Sequence, residues 1–301
     1  MKTYLRTREI AVLCFLLPAL LFAADRKFEK KFSVSSGGTF TLATDVGSVS
    51  VEGTGGSEVS ILAELRGRER DVNDFEITAE QKGSGVEVTG RARRSGWFGG
   101  SGDLDVRFTV KVPRDYNLRL NTSGGDLNVA TLKGAVKGET SGGNIDVKDV
   151  EGEVGVNTSG GSIRAEKVTG NLNMETSGGD ITIVSVTGNT DVSTSGGNIH
   201  INDVDGKVRA ETSGGDIQVK VRNSNKGVFA ETSGGNIDVV VAKNVSATID
   251  ASTSGGAVVC DLPVTVSGRI EESRVHGTIN GGGNTIHAHT SGGDVRIRSN
   301  D

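Results

Sequence analysis

The sequence predicts an all-β protein: a parallel two-sheet β-solenoid (β-helix) with 18-residue coils, preceded by a β-rich N-terminal capping region. Three observations predict it. The tetrapeptide Thr-Ser-Gly-Gly occurs nine times, with threonines at Thr122, Thr140, Thr158, Thr176, Thr194, Thr212, Thr232, Thr253 and Thr290, and the first six stand 18 residues apart. A unit that small cannot bury a core alone, so equivalent units must stack on one another. Between the tetrapeptides apolar and polar residues alternate with period two, the pattern of strands with one buried face. Glycine is abundant at 45 residues, against 3 prolines and 4% aromatics, a composition compatible with disorder. The glycines nevertheless fall at fixed phases between alternating apolar residues, which disorder does not require.

The chain begins with Lys2, Arg6 and Arg8, an apolar run from Ile10 to Leu21, and Phe22-Ala23-Ala24 before the polar stretch that opens at Asp25. That order marks residues 1–24 as a secretory signal peptide. The run is shorter than the ~20 residues of a membrane span, so no stable transmembrane segment is expected after processing. Cys14 lies within the apolar core without the small residues that precede a lipidated cysteine, so no lipid anchor is expected. Processing removes three basic residues and Glu9, and the formal charge moves from −5 to −7. Such a chain has no basic excess for nucleic acid. It also retains Cys260 as a single cysteine, so packing and backbone hydrogen bonds must hold the fold without an intramolecular disulfide.

Residues 25–120 are expected to form a β-rich region continuous with the solenoid. Alternating segments at 39–43, 48–52, 58–65, 75–81, 86–91 and 105–112 are longer and less regular than the later repeats. Residues 121–301 form the repeat array. In the coil 143–160, glycine followed by apolar residues at the second and fourth positions occurs at Gly143 and again at Gly152, so each coil divides into two nine-residue halves. The first strand points Ile145 and Val147 inward, continued by Ile163 and Ala165, Ile181 and Ile183, Ile199 and Ile201, Ile217 and Val219, and Ile237 and Val239. The second points Val154, Val156 and Thr158 inward, so the repeated threonine faces the core and serine and glycine make the bend. Cys260 falls in the column of Val219 and Val239 and is expected to be a buried apolar residue.

Toward the C-terminus the spacings become 20 and 21, with residues 222–227 absorbing the first insertion, and the last step is 37. That step reads as two successive coils with an irregular turn at 280–284. Arg296 and Arg298 on the final strand would then point outward and discourage end-to-end stacking. No helix is expected in the mature chain.

Several segments together resemble the bacterial toastrack-type putative adhesin family, domains of unknown function with a single-stranded β-helix. They are Gly47-Ser48-Val49-Ser50-Val51-Glu52-Gly53, Phe108-Thr109-Val110-Lys111-Val112-Pro113, the Ser-Gly-Gly-Asp/Asn-Ile repeats and the closing Thr290-Ser291-Gly292-Gly293-Asp294-Val295-Arg296-Ile297. The resemblance covers residues 35–301. It implies export, a role in the cell envelope and no known catalysis, and it supplies no functional residues.

The outward columns carry little recognisable chemistry. In the first strand the column runs Asn128, Asp146, Arg164, Thr182, His200, Gln218, Asp238; in the second, Lys137, Gly155, Asn173, Asp191, Arg209, Phe229. Neither groups the paired carboxylates of glycan hydrolysis. The residues after each Gly-Gly, among them Asp126, Asn144, Ser162 and Asp180, read as turn caps and not as a calcium ladder, because the fourth glycine and sixth aspartate of calcium-binding nonapeptides are missing. His287 and His289 should share one outward face with His276 near them, a weak metal-site pattern without an evident third ligand, so no cofactor is expected. The loop from Arg91 through Arg93, Arg94, Trp97 and Phe98 is a possible interaction loop; its bland reading is a hairpin that caps the open core.

These observations point to an exported, non-enzymatic module for cell-envelope interaction or scaffolding, adhesin-like, in the periplasm, on the outer surface or outside the cell. Its expected partner is an envelope protein or a surface polymer. The alternative is a glycan-binding or glycan-acting β-solenoid. Recognition should concentrate where the rhythm varies: the outward columns, the insertion at Arg222 and the Trp97 loop.

Overall fold

The computed structural model describes residues 23–93, 104–222, 225–266 and 271–300. Within them, 13 strands form one sheet and 14 the other, and the two face each other across a continuous apolar core. The array is the solenoid that the 18-residue period predicts. Ile145–Glu151 pairs in parallel with Leu127–Lys133 and Ile163–Thr169, and Val154–Thr158 with Val136–Thr140 and Leu172–Thr176, each residue opposite its equivalent 18 positions away. Ile145, Val147, Ile163, Ala165, Ile181 and Ile183 are buried along one wall, and Val154, Val156, Leu172 and Met174 along the other.

The tetrapeptide is the corner. Each threonine hydroxyl donates to a glycine carbonyl of the preceding coil, as Thr158 to Gly143 (2.9 Å) and Thr176 to Gly161 (2.8 Å). Its two glycines serve different ends. A Cβ at Gly161 would sit 2.0 Å from the carbonyl oxygen of Gly143, whereas one at Gly160 would meet nothing closer than 3.7 Å. Only the second glycine is therefore demanded by the close approach of stacked corners.

Beside the corner, side-chain oxygens cap the backbone of the next coil in an unbroken series. Asp126 accepts from the N–H of Asn144 (2.8 Å), Asn144 from Ser162 (2.9 Å), Ser162 from Asp180 (3.1 Å) and Asp180 from Asn198 (2.7 Å). These are the turn caps that the sequence predicts.

The N-terminal region closes the stack. Thr39–Thr44 lies in parallel between Asn117–Thr122 and Gly85–Ala92, while Ser48–Thr54 lies between Leu127–Lys133 and Asp105–Pro113. Beyond them the pairing turns antiparallel: Glu58–Arg68 joins Asp105–Pro113, and Phe75–Lys82 joins Gly85–Ala92. Phe40, Phe75, Phe108 and Tyr116 fill this end of the core.

Two elements here were not expected. Ala23–Ser33 is an edge strand on Glu58–Arg68. Its alternate residues Arg26, Phe28, Lys30 and Phe32 mix cations with aromatics, which hides the period-two signal. Arg26 and Lys30 reach across to donate to the carbonyls of Phe75 and Ala79 on the other sheet's edge. Glu69–Asp74 is a short α-helix, correcting the expectation of none. One apolar residue, Val72, anchors it, which is too little for a periodic signal.

The C-terminal end departs most from the linear reading. The final coil, Thr285–Thr290 and Val295–Ser299, is not last in the stack. It lies between the coil of Val228–Thr232 and Ile237–Val241 and the coil of Ala247–Thr253 and Val258–Cys260. The chain skips one rung after Val241, builds the outermost coil, returns along Arg274–Ile279 antiparallel to Ala247–Thr253, and then fills the rung it skipped. Arg296 and Arg298 consequently do not guard the end. They ion-pair with Asp261 and Asp238 on the flanking segments. Cys260 does occupy the column of Val219, Val239 and Ile297, but on the edge strand, so it is half-buried and not fully enclosed. Partial burial pushes its thiol up from the ordinary range.

Candidate functional site

A groove of about 830 Å³ runs along the outer face of the second sheet. Three distant stretches build it. The regular coils supply two parallel rows: Asn171, Asn189 and Lys207 at the strand entrances, and Asn173, Asp191 and Arg209 two residues further along. The insertion supplies Lys226, the strand Val228–Thr232 that follows it supplies Phe229, and the intercalated last coil supplies Asn284 and His287.

The insertion and the last coil lock to each other. Asn225, buried in the loop, donates through Nδ2 to the carbonyl of Asn284, and Asn284 Nδ2 donates to the carbonyl of Asn225 at 3.0 Å. Asn225 Oδ1 also accepts from the N–H of Gly227 at 2.9 Å. The wall of the groove is thus a hydrogen-bonded clasp that forms only once the last coil has entered its rung.

The outward column that begins at Lys137 continues past Phe229 to His287 and Asp250. The Arg209 guanidinium lies over the Phe229 ring, 4.4 Å from its centroid. From the strand on the opposite side, His287 stacks on the same ring, with centroids 4.9 Å apart and planes 15° from parallel. His287 is itself held from both nitrogens, with Nδ1 3.0 Å from Asp250 and Nε2 3.2 Å from Glu231. Carboxylates on both sides fix the imidazole plane, and through it the aromatic ring.

The entrance row behaves differently. Asn171 Oδ1 accepts from the N–H of Asn189, and Asn189 Oδ1 from that of Lys207, each at 3.2 Å. With the oxygens anchored, the amide N–H₂ groups of Asn171 and Asn189 face the groove edge without a protein partner among the described residues. The ammonium of Lys207 is likewise unpaired among them, whereas Lys226 pairs with Asp205 and Arg209 with Glu211. Successive coils repeat every ~4.8 Å, so these donors form a ladder at that spacing.

His287 and His289 do share a face, and His276 stands on the next strand but one, with Nδ1 3.7 Å from Asp250. Asp250 lies between His276 and His287 and faces both, while His289 is engaged apart from them by the Ser252 hydroxyl at 2.9 Å. Among the described residues no group of three or more His, Cys, Asp or Glu side chains is arranged to hold a metal ion. Of the expected interaction loop, Arg91 is exposed on its strand and Arg93 pairs with Glu76 at 3.1 Å. Arg94, Trp97 and Phe98 lie outside the described residues. Two of the three places where the repeat rhythm varies, the outward column and the insertion, meet at the groove. The contribution of Asn284 and His287 could not be read from the sequence, because it follows from the intercalated coil.

The sequence profile of the family described as Toastrack DUF4097 matches residues 38–298, so the chain belongs to that family. Among solved structures, a "putative adhesin" from Parabacteroides distasonis is 13% identical, with 91% of this chain and 97% of that one covered at a TM-score of 0.51. A "putative adhesin" from Parabacteroides merdae is 16% identical, with 92% and 97% covered at a TM-score of 0.50. At these identities the likeness is one of fold. No curated protein matches the chain. No helix among the described residues is long and apolar enough to cross a membrane.

Proposed function

We propose that this protein is an exported, non-enzymatic interaction module of the cell envelope, adhesin-like, that docks its partner along the outer face of the second sheet. The observation that carries this reading is the groove itself, which three chain segments converge to build and a clasp of two asparagines closes. Its lining is suited to holding: amides, cations and one clamped aromatic ring on strands fixed on both edges, where side chains lose little further freedom on binding. The signal-like N-terminus supports export. The solved relatives named as adhesins support a surface role. The division of the chain into a leader at 1–24, a capping region at 25–120 and an array at 121–301 belongs to the same proposal.

The test is attachment of the purified protein to envelope fractions of the parent bacterium, compared with Arg209→Ala and Phe229→Ala variants that keep the parent far-ultraviolet circular dichroism. Saturable attachment that both variants weaken is the expected result. Attachment indifferent to both, or none, overturns the reading.

A further inference from the structure

We infer that the groove is a subsite for a neutral, polyhydroxylated glycan chain lying along the solenoid axis across Asn171, Asn189 and Lys207. This deepens the proposal above and rests on it for the choice of face.

The argument starts from what lacks a partner. Asn171 and Asn189 spend their side-chain oxygens on backbone N–H groups of the next coil, which leaves their N–H₂ groups aimed outward and unused. Lys207 adds a third unengaged donor one coil on, and Asn173 a further amide without a protein partner among the described residues. Donors in line at ~4.8 Å intervals match a ligand whose acceptors repeat at a similar distance along one direction. A chain of linked pyranosides has that repeat, with ring and hydroxyl oxygens at each unit. A compact ligand would meet one rung and leave the others idle.

Charge selects among polymers. Asp191 and Glu153 line the same groove as Lys207, Arg209 and Lys226, and Lys226 and Arg209 are already paired with carboxylates. The whole chain carries a formal charge of −5. Arg209 also stands 4.0 Å from Asp191, so the groove charges largely compensate one another, and a polyanion would be repelled by Glu153 and by the long-range field. Hydroxyl groups, which both donate and accept, satisfy Asp191 and Glu153 as well as the amides. Phe229 has Arg209 and His287 on its two faces, so its exposed edge limits the groove as a wall and does not serve as a stacking platform.

The experiment is calorimetric titration of the full chain with neutral cello- and chito-oligosaccharides, from disaccharide to hexasaccharide, and with polygalacturonate as the charged comparison. Expected are affinities that rise with chain length until the groove is filled and that hardly change with added salt. Asn171→Asp and Asn189→Asp each keep the oxygen that caps the next coil, as Asp126 and Asp180 do at the other corner, but lose the outward donors. Each should weaken oligosaccharide binding about fivefold to tenfold with an unchanged melt, the loss expected for one or two hydrogen bonds. Asn128→Asp on the opposite sheet should leave binding as it was. Binding of polygalacturonate alone, with steep salt dependence, overturns the inference, as does oligosaccharide binding indifferent to both groove variants. No binding by any saccharide overturns it too, and if the Arg209 and Phe229 variants still impair envelope attachment, the docking face survives without the glycan.

Discussion

The hydroxyl of Thr176 donates to the carbonyl of Gly161 at 2.8 Å and at the same time accepts from the N–H of Gly179 at 3.4 Å. One buried side chain thus ties the corner of its own coil to the corner before it. The same pair of bonds recurs at Thr140, Thr158, Thr194, Thr212, Thr232 and Thr290. Thr176→Val keeps the shape and leaves a buried carbonyl and N–H without that partner, so it should destabilise the fold by about 1–3 kcal/mol. Thr176→Ser, which keeps the hydroxyl, should fall well short of that loss in the same denaturant melt. A serine loss larger than the valine loss would show that the methyl group, not the hydroxyl, is what the corner needs.

A second threonine makes the opposite case. Thr190 occupies the inward column between Leu172 and Val208, and its hydroxyl is the one buried side-chain polar atom among the described residues without a hydrogen-bond partner. Replacing it with valine removes an unsatisfied group at nearly constant volume and continues an apolar wall. Thr190→Val should therefore raise stability by about 1–2 kcal/mol, read as a higher denaturation midpoint with an unchanged slope.

How much of this was legible follows from where each signal lives. Period-two alternation and the fixed 18-residue step specify register residue by residue, and the pairing of Ile145 with Ile163 and Val154 with Leu172 is the direct result. The third bend of each coil escapes sequence reading. Thr131, Asp149, Lys167, Ser185 and Asp203 all adopt positive φ, between 54° and 67°, at equivalent positions without a glycine to mark them. The stacking of each coil on the last imposes that conformation against local preference. The intercalated coil is invisible for a related reason. Thr253 and Thr290 carry the same corner chemistry, so nothing local says which rung each will occupy. The groove inherits that opacity, since Asn284 and His287 reach it only through that rung exchange.

The bend at Asp203 also carries a pH signature. Arg222 grips its carboxylate with Nε at 2.6 Å and Nη2 at 2.8 Å, and that hydrogen bonding holds the Asp203 carboxyl below the ordinary carboxylate range. A group depressed in the folded state contributes stability above its unfolded titration and loses it as pH falls through the folded one. Stability should therefore be level near neutrality and decline on acidification below the usual carboxylate range. Asp203→Asn tolerates the positive φ and removes the charge. It should be less stable than the parent at pH 7, and the two should converge in acid. A constant gap across the acid range would remove the ion pair as its cause.

Removing coils tests the intercalation. Excising 159–176 joins Thr158 to Ser177 in phase, so every surviving strand meets an equivalent neighbour, and the shortened protein should remain a folded β protein that melts cooperatively. Removing 280–301 deletes a similar number of residues from the end of the chain but from the interior of the stack. It exposes Val228–Thr232 and Ile237–Val241 on one side and Ala247–Thr253 and Val258–Cys260 on the other, and it takes away the partner of Asn225. The short link at 242–246 cannot draw the outermost coil into register without moving the antiparallel strand Arg274–Ile279 with it. Amide hydrogen exchange should then show lost protection on both sides of the vacated rung, across 228–241 and 247–279, while 127–205 stays protected. If protection were lost only in 247–279, the outermost coil would depend on the last one but the interior stack would not, and the last coil would be a cover instead of a keystone.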